Sequence, residues 1–346
     1  MLKDEEKLLR RVVTEFCESN VEKERLRIER DGIPDSLIRA AAESGFLGAL
    51  APPELGGSGL DLRSYSVLLQ VMSKYSTSLA YYVFLQNSLF IAPLLKFARE
   101  DVGRSIIPEI ASGGSKGTLV QDIFRRSKNS LSYEGKLNGM ADMVPLPDAD
   151  HHLALVRSRD GDALVLSNPG NVLERYRIIG LRGIEFGKVS YEGRADVIAE
   201  RGSSAAEELM GEVAIPLSAM ALGVVERAVD MAAQYSKERE AFGSKLSEFQ
   251  PIAFYIADVQ AQFRVLEEYL YSDSPDPLTV KVLSLDLARK ASRMSIQVHG
   301  GYGYFEDIGV ERLYRDAAVL SSIAGNYLDD MTKLSRGLLG DFAAKI

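Results

Sequence analysis

Two features of this 346-residue sequence could do chemistry beyond packing. Arg239 falls at the end of a long run of helical character, where a fixed guanidinium could grip a pyrophosphate through two parallel hydrogen bonds. Gly300-Gly301 offers backbone without Cβ, which can come close to phosphate oxygens and aim N–H groups at them. Most such glycine pairs are merely turns, so this one gains meaning only together with Arg239. The three histidines offer less. His151 and His152 stand in a strand-edge context and read as solvent-facing. His299, beside the glycine turn, reads as a hydrogen-bonding support rather than a catalytic base. Cys17 is the only cysteine, so the chain holds no internal disulfide, and one cysteine with three histidines builds no metal cluster.

The elements that must position these residues follow from composition and periodicity. A hydrophobic fraction of 46% with 26% charged residues excludes wholesale disorder and a collagen-like repeat. The net charge of −8 disfavours a general nucleic-acid or anionic-membrane binder, while leaving room for a local basic pocket for a phosphorylated ligand. The N-terminus is charged, without the apolar core of a secretion signal. The most apolar stretch, Leu79 to Leu95, is interrupted by Gln86, Asn87, Ser88 and Pro93. It reads as a buried core helix rather than a membrane span, and cytoplasm is the expected location.

The fold expected is a multidomain α+β chain. Residues 1–116 form an N-terminal helical domain, with helices over Leu62–Tyr75, Ser78–Phe97 and Glu100–Ile110 and a structured loop at Pro52–Gly59. The Pro34-Asp35 start leads an apolar face of Leu37, Ile38, Ala41 and Ala42. Residues 117–204 carry short apolar runs at hairpin spacing, such as Leu153–Val156, Ala163–Leu166 and Lys188–Tyr191. They predict a small antiparallel β-domain of five to seven strands and no Rossmann sheet. Residues 205–346 are helical again. Leu217, Met220, Ala221, Val224, Val225, Ala228 and Val229 form one stripe, and further helices over Glu248–Leu270, Leu278–Val298 and Tyr327–Leu338 predict an antiparallel four-helix bundle.

Two C-terminal segments go further. One is Tyr235-Ser236-Lys237-Glu238-Arg239-Glu240-Ala241-Phe242-Gly243, followed by Leu246 and Phe249-Gln250. The other is Gln297-Val298-His299-Gly300-Gly301-Tyr302-Gly303-Tyr304, followed by Glu311-Arg312-Leu313-Tyr314-Arg315-Asp316-Ala317. With Pro53-Glu54-Leu55-Gly56-Gly57-Ser58-Gly59 and Pro108-Glu109-Ile110-Ala111-Ser112-Gly113, the sequence closely resembles the acyl-CoA dehydrogenase family along nearly its whole length, least in the middle. The resemblance implies an FAD-dependent enzyme that desaturates an acyl-CoA thioester between Cα and Cβ. Its electrons would pass to an electron-transfer flavoprotein. It implies that Arg239, Phe242 and Gln250 hold FAD, often across a subunit boundary. Gln297, Gly300 and Gly301 match residues that approach the diphosphate or adenosine of a neighbouring protomer's FAD. A homodimer or homotetramer follows, with a hetero-oligomer as the alternative. Arg312, Arg315 and Asp316 read as a salt-bridge network, and Tyr81, Tyr82, Phe84 and Phe90 as core that in this family walls the acyl pocket.

The resemblance also exposes departures. The family's usual catalytic glutamate falls in Ile323-Ala324-Gly325-Asn326, where Ala324 takes its place and cannot accept a proton. Asn326 stands where a threonine normally touches the flavin. Some relatives carry the base on the first helix of the C-terminal bundle. That position aligns with Val213, and Glu212 precedes it by a rotation of about 100°. Glu212 is therefore either the base or a solvated glutamate of the first helical turns, and Asp329 and Asp330 are weaker candidates. The β-domain is short for the family. Val120-Gln121-Asp122-Ile123-Phe124-Arg125-Arg126-Ser127 and Met143-Val144-Pro145-Leu146 replace the segments that cover the flavin ring, and Pro145 lacks the N–H a threonine would offer. The alternative to an active dehydrogenase is a catalytically inert FAD- or acyl-CoA-binding subunit.

Overall fold

The computed structural model describes residues 2–120, 131–158, 161–323 and 327–340. The N-terminal segment folds as α1 (Asp4–Phe16), α2 (Arg25–Asp31), α3 (Asp35–Glu43), α4 (Leu62–Tyr75), α5 (Thr77–Gln86), α6 (Ala92–Phe97) and α7 (Glu100–Ala111). Asp61 caps α4 by accepting from the Ser64 N–H at 2.7 Å, and Ser76 caps α5 through the Leu79 N–H. The expected helix over Ser78–Phe97 is one helical run, but a π-turn at Asn87–Ile91 divides it. Two residues account for this. Pro93 removes a ladder N–H, and the Asn87 side-chain amide donates to the Val83 carbonyl of its own helix at 3.0 Å and to the Phe46 carbonyl at 2.9 Å while accepting from the Leu50 N–H at 3.0 Å. Tyr81, Tyr82, Phe84 and Phe90 are all buried, as the sequence indicated. The Pro52–Gly59 loop contains one 3₁₀ turn, Pro53–Leu55.

The middle segment holds β1 (Gly117–Val120), β2 (Ser132–Tyr133), β3 (Leu137–Pro145), β4 (His151–Ser158), β5 (Gly161–Ser167), β6 (Asn171–Tyr176), β7 (Phe186–Gly193) and β8 (Ala195–Ala199). They make one eight-stranded sheet ordered β6-β7-β3-β2-β4-β5-β8, with β1 added on β4. The expected five to seven strands fall short because β2 has only two residues and β6 is mostly exposed, so neither shows a buried alternation. Pairing is antiparallel except where β1 and β2 run parallel to β4. A register shift in β3 between Ala141 and Val144 accompanies left-handed Met143 (φ 56°), with Leu146 (φ 48°) following just after the strand.

His152 corrects the solvent-facing expectation. It is fully buried, its Nε2–H donating to the Ala149 carbonyl at 3.1 Å while Nδ1 accepts from the Tyr191 hydroxyl at 2.8 Å. Burial pushes its pKa down to about 4, so the ring is neutral. His151 is half-buried and stacks on Phe90.

The C-terminal segment opens with α8 (Gly202–Glu238), then a hairpin of β9 (Glu240–Ala241) and β10 (Ser244–Lys245), then α9 (Gln250–Leu270), α10 (Pro277–His299), α11 (Val310–Leu320) and α12 (Tyr327–Leu339). Helix α8 starts well before the stripe at Leu217, and α11 joins the expected four helices. Its buried Val310, Leu313, Ala317 and Leu320 follow the helical period. Helices α8, α9 and α10 pack on one another, α11 lies against α8 and α10, and α12 against α10. Helix α4 also packs along α8. Gly223 permits that approach, since a Cβ there would lie 2.2 Å from the Gln70 carbonyl oxygen. One apolar core thus runs through both helical segments, and a second fills the sheet. Thr77–Phe97 and Gly202–Glu238 are long and apolar enough to cross a membrane, yet most of that surface is buried within the fold.

Candidate functional site

Helix α8 ends at Arg239, whose N–H closes on the Tyr235 carbonyl at 2.8 Å while its own carbonyl accepts from the Leu246 N–H at 2.9 Å. These bonds turn the chain into the hairpin and fix the arginine beside the end of α10. There the backbone reverses at Gly300, with φ +59° and ψ −137°, a conformation that other residues adopt only with strain. Arg239, Gly300 and Gly301 together line one open cavity of about 540 Å³. A Cβ on either glycine would meet nothing within 4 Å.

Aromatic side chains form the remaining walls. Tyr235 lies one turn before Arg239 and stacks on His299 with ring centres 4.3 Å apart. The Arg239 guanidinium sits 5.8 Å above the Tyr302 ring, a cation–π contact that limits where it can point. Neither tyrosine was singled out from the sequence. The four-residue spacing of Tyr235 and Arg239, which puts both on one helix face, was the available signal. His299 donates from Nδ1 to the Ser295 carbonyl at 2.7 Å, and desolvation lowers its pKa, so it supports the turn as a neutral ring. Both α8 and α10 reach the cavity with their C-terminal ends, where the partial charge is negative. Phosphate charge arriving there would have to be met by Arg239, which makes no ion pair among the described residues.

The other expected cofactor residues do not line this cavity. Phe242 stands at the hairpin tip with φ 52° and is 99% exposed, its ring edge-on to Phe249. Gln250 begins α9 and Gln297 lies one turn before Gly301, both exposed. Asn326 and Ala324 lie outside the described residues, as does the Gln121–Ser127 segment.

Glu212 is on the exposed face of α8, ion-paired with Lys96, which also holds Glu208 at 2.7 Å. Val213 beside it is buried. The desolvated environment that a base for a weakly acidic α-proton needs is not what surrounds Glu212. Asp330 is buried against Lys281 at 2.8 Å. Arg315 bridges Glu29 and Glu311 at 2.9 Å each, and Asp316 accepts from the Leu181 N–H at 2.7 Å, so this cluster ties α11 to α2 and to the β6–β7 connection. No group of three or more histidine, cysteine, aspartate or glutamate side chains among the described residues could hold a metal ion.

Residues 3–114 match the acyl-CoA dehydrogenase N-terminal domain, and residues 200–327 match the acyl-CoA dehydrogenase C-terminal domain. The chain belongs to the acyl-CoA dehydrogenase family. It is 26% identical to an acyl-CoA dehydrogenase of Bacillus subtilis (strain 168), covering 97% of this chain and 98% of that one. It is 25% identical to the caffeyl-CoA reductase–Etf complex subunit CarC of Acetobacterium woodii, over 93% of this chain and 95% of the relative. The butyryl-CoA dehydrogenase structure from Megasphaera elsdenii shares the fold, with a TM-score of 0.90 at 22% identity over 98% and 99% of the two chains. Acyl-CoA dehydrogenases are FAD-dependent oxidoreductases, and the cavity at Arg239 fits the dinucleotide end of that cofactor. It has a guanidinium without a carboxylate, two glycines facing open space and flat aromatic walls.

Proposed function

We propose that this protein binds FAD and desaturates an acyl-CoA thioester between Cα and Cβ, passing the electrons to an electron-transfer flavoprotein. The observation that carries the reading is the meeting of Arg239, Gly300 and Gly301 in one open cavity. When bound, FAD would supply the hydride acceptor. The chain's own work is to hold it. Arg239 would pair with the diphosphate, Tyr302 would restrain the guanidinium, and the glycine backbone would make room for close approach. The similarity to a subunit of a caffeyl-CoA reductase–Etf complex supports both the thioester and the electron partner.

Geometry also supports a homo-oligomer, a dimer or a tetramer. Glu212 and Arg239 are 27 positions apart along α8, about 40 Å at the rise of an α-helix, which is longer than FAD itself. Were Glu212 the base, it and Arg239 could serve one flavin only from different protomers. The fully exposed Phe242 ring is an apolar group that a second subunit would cover.

The second reading is a catalytically inert FAD- or acyl-CoA-binding subunit, and the Lys96–Glu212 pair favours it. As the α-proton base, Glu212 would have to leave Lys96 and lose its water. The absorption spectrum tests both readings, recorded anaerobically before and after a panel of acyl-CoAs. A flavin spectrum that bleaches supports the dehydrogenase. A flavin that no acyl-CoA bleaches supports the inert subunit. Colourless protein that FAD does not reconstitute overturns the FAD site itself.

A further inference from the structure

A second cavity, of about 510 Å³, opens between α2, the start of α3, the β6–β7 connection and Lys116 at the entry to β1. It shares no lining residue with the cavity at Arg239. Its walls reverse the charge of the chain. Arg30, Lys116, Arg175, Arg177 and Arg182 face only three carboxylates, in a protein of net charge −8. Arg175 is engaged by Asp148 and Glu185 at 2.6 and 2.7 Å. Arg30, Arg177 and Lys116 make no ion pair among the described residues, and the one hydrogen bond from the Arg177 guanidinium goes to the Glu29 carbonyl at 3.2 Å.

Arg182 carries the strongest sign. One guanidinium nitrogen reaches Glu306 at 3.2 Å, but its Nε is buried without a hydrogen-bond partner. Arg182 also lines a small adjoining hollow, where the Nε of buried Arg312 is likewise unpartnered. Buried donors left unmade are costly and rare in folded proteins. Of the two, Arg182 also lines the larger cavity, beside Arg30, Lys116 and Arg177, which make no ion pair among the described residues. The remaining wall is apolar, with Ile33, Ile38 and Ile178. A space of this size is ordinary for a small-molecule site.

We propose that this cavity binds a phosphate-bearing small molecule of nucleotide size. Its phosphates would lie against Arg30, Arg177 and Lys116, and its flat base would lie on the isoleucines. The guanidiniums suit phosphate because their planar donors match two oxygens at once. The site would recognise a ligand other than the FAD held at Arg239.

The test is calorimetric titration of the FAD-loaded protein with pyrophosphate and with ADP, in the parent and in Arg30→Glu/Arg177→Glu. Both probes are expected to bind the parent, more weakly as salt rises, and the double variant is expected to lose at least tenfold in affinity with flavin content and thermal midpoint unchanged. The milder pair Arg30→Gln/Arg177→Gln should show a smaller loss in the same direction. Tighter binding of ADP than of pyrophosphate makes a nucleotide the ligand, and equal binding makes the phosphates alone sufficient. Binding that Arg239→Gln removes while the Arg30/Arg177 variants keep it would assign the nucleotide to the other cavity and overturn the proposal. Absence of heat from both probes at millimolar concentration would also overturn it.

Discussion

Glu212 and Arg239 stand toward opposite ends of α8, and the fold treats their charges differently. Near the N-terminal end, Lys96 gathers Glu208 and Glu212 onto one ammonium, so both carboxylates have their counter-charge within the chain. At the C-terminal end, Arg239 has only the Tyr302 ring beneath it, a hairpin turning away and an open cavity in front. An ion pair closed within the chain is structural by default. A guanidinium held in position without a counter-charge is preorganised for something that is not part of the chain. The molecule has thus kept an open charge at the proposed dinucleotide site and closed the one near its candidate base.

The largest break in that contrast should come from Arg239→Ala. A bidentate charge-assisted contact to a diphosphate is worth about 3 kcal/mol, or roughly 100-fold in affinity. FAD retained on equilibrium dialysis should fall by about that factor while the fold is unchanged. Full retention would place the cofactor elsewhere. Next in size is Gly301→Val. The backbone at Gly301 does not require glycine and a Cβ meets no atom, so stability should stay within about 0.5 kcal/mol of the parent. FAD affinity should nevertheless drop about tenfold if the added side chain occupies space the cofactor needs. A stable variant with parental FAD affinity would show that the glycine turn is only a turn.

These residues were legible because their chemistry is local. Arg239 and Gly300-Gly301 belong to short segments whose residue types and spacing are informative without the fold, and the structure brings them to one cavity. The helices of the core were legible for the same reason, through periodicity. What escaped depends on contacts between distant parts of the chain. The burial of His152 comes from Tyr191, 39 positions away, and from pairing of β4 with β1 and β5, which local alternation does not reveal. The pairing of Glu212 with Lys96 crosses 116 positions, and no pattern in the sequence links them. Tyr302 under Arg239 joins a helix end to a turn that only the packing of α8 on α10 sets side by side.

Two buried groups extend the comparison to charge settled by protonation. His152 has a pKa near 4 in the fold against 6.5 when exposed, so between those values the unfolded chain binds a proton that the native chain refuses. Its contribution makes stability rise with pH across that window and fall as acid is added. Asp316 behaves oppositely. Burial raises its pKa from 3.8 to about 6, so between those values the native chain keeps a proton that the unfolded chain has released, and stability falls as pH rises. Asp316→Asn, which keeps an oxygen for the Leu181 N–H, should therefore steepen the rise of the thermal midpoint from pH 4 to 6 relative to the parent. His152→Gln should flatten or reverse it. Parallel curves for parent and Asp316→Asn would show that Asp316 is ionised throughout.

The smallest expected effect belongs to Glu212→Gln. The pair it disturbs is nearly half exposed on the glutamate side, with 44% of that side chain accessible, and such pairs are worth under about 1 kcal/mol. Lys96 keeps Glu208, and glutamine still offers it an oxygen. The thermal midpoint, the flavin content and the response to acyl-CoA should all match the parent. Loss of bleaching with flavin retained would mean that Glu212 leaves Lys96 when substrate arrives and takes the α-proton. In that event Lys96→Ala should bleach faster than the parent, because the carboxylate no longer has to break an ion pair first. Parental behaviour in both variants leaves Glu208, Glu212 and Lys96 as a surface clasp between α6 and α8, and leaves the N-terminal end of α8 without a role in chemistry.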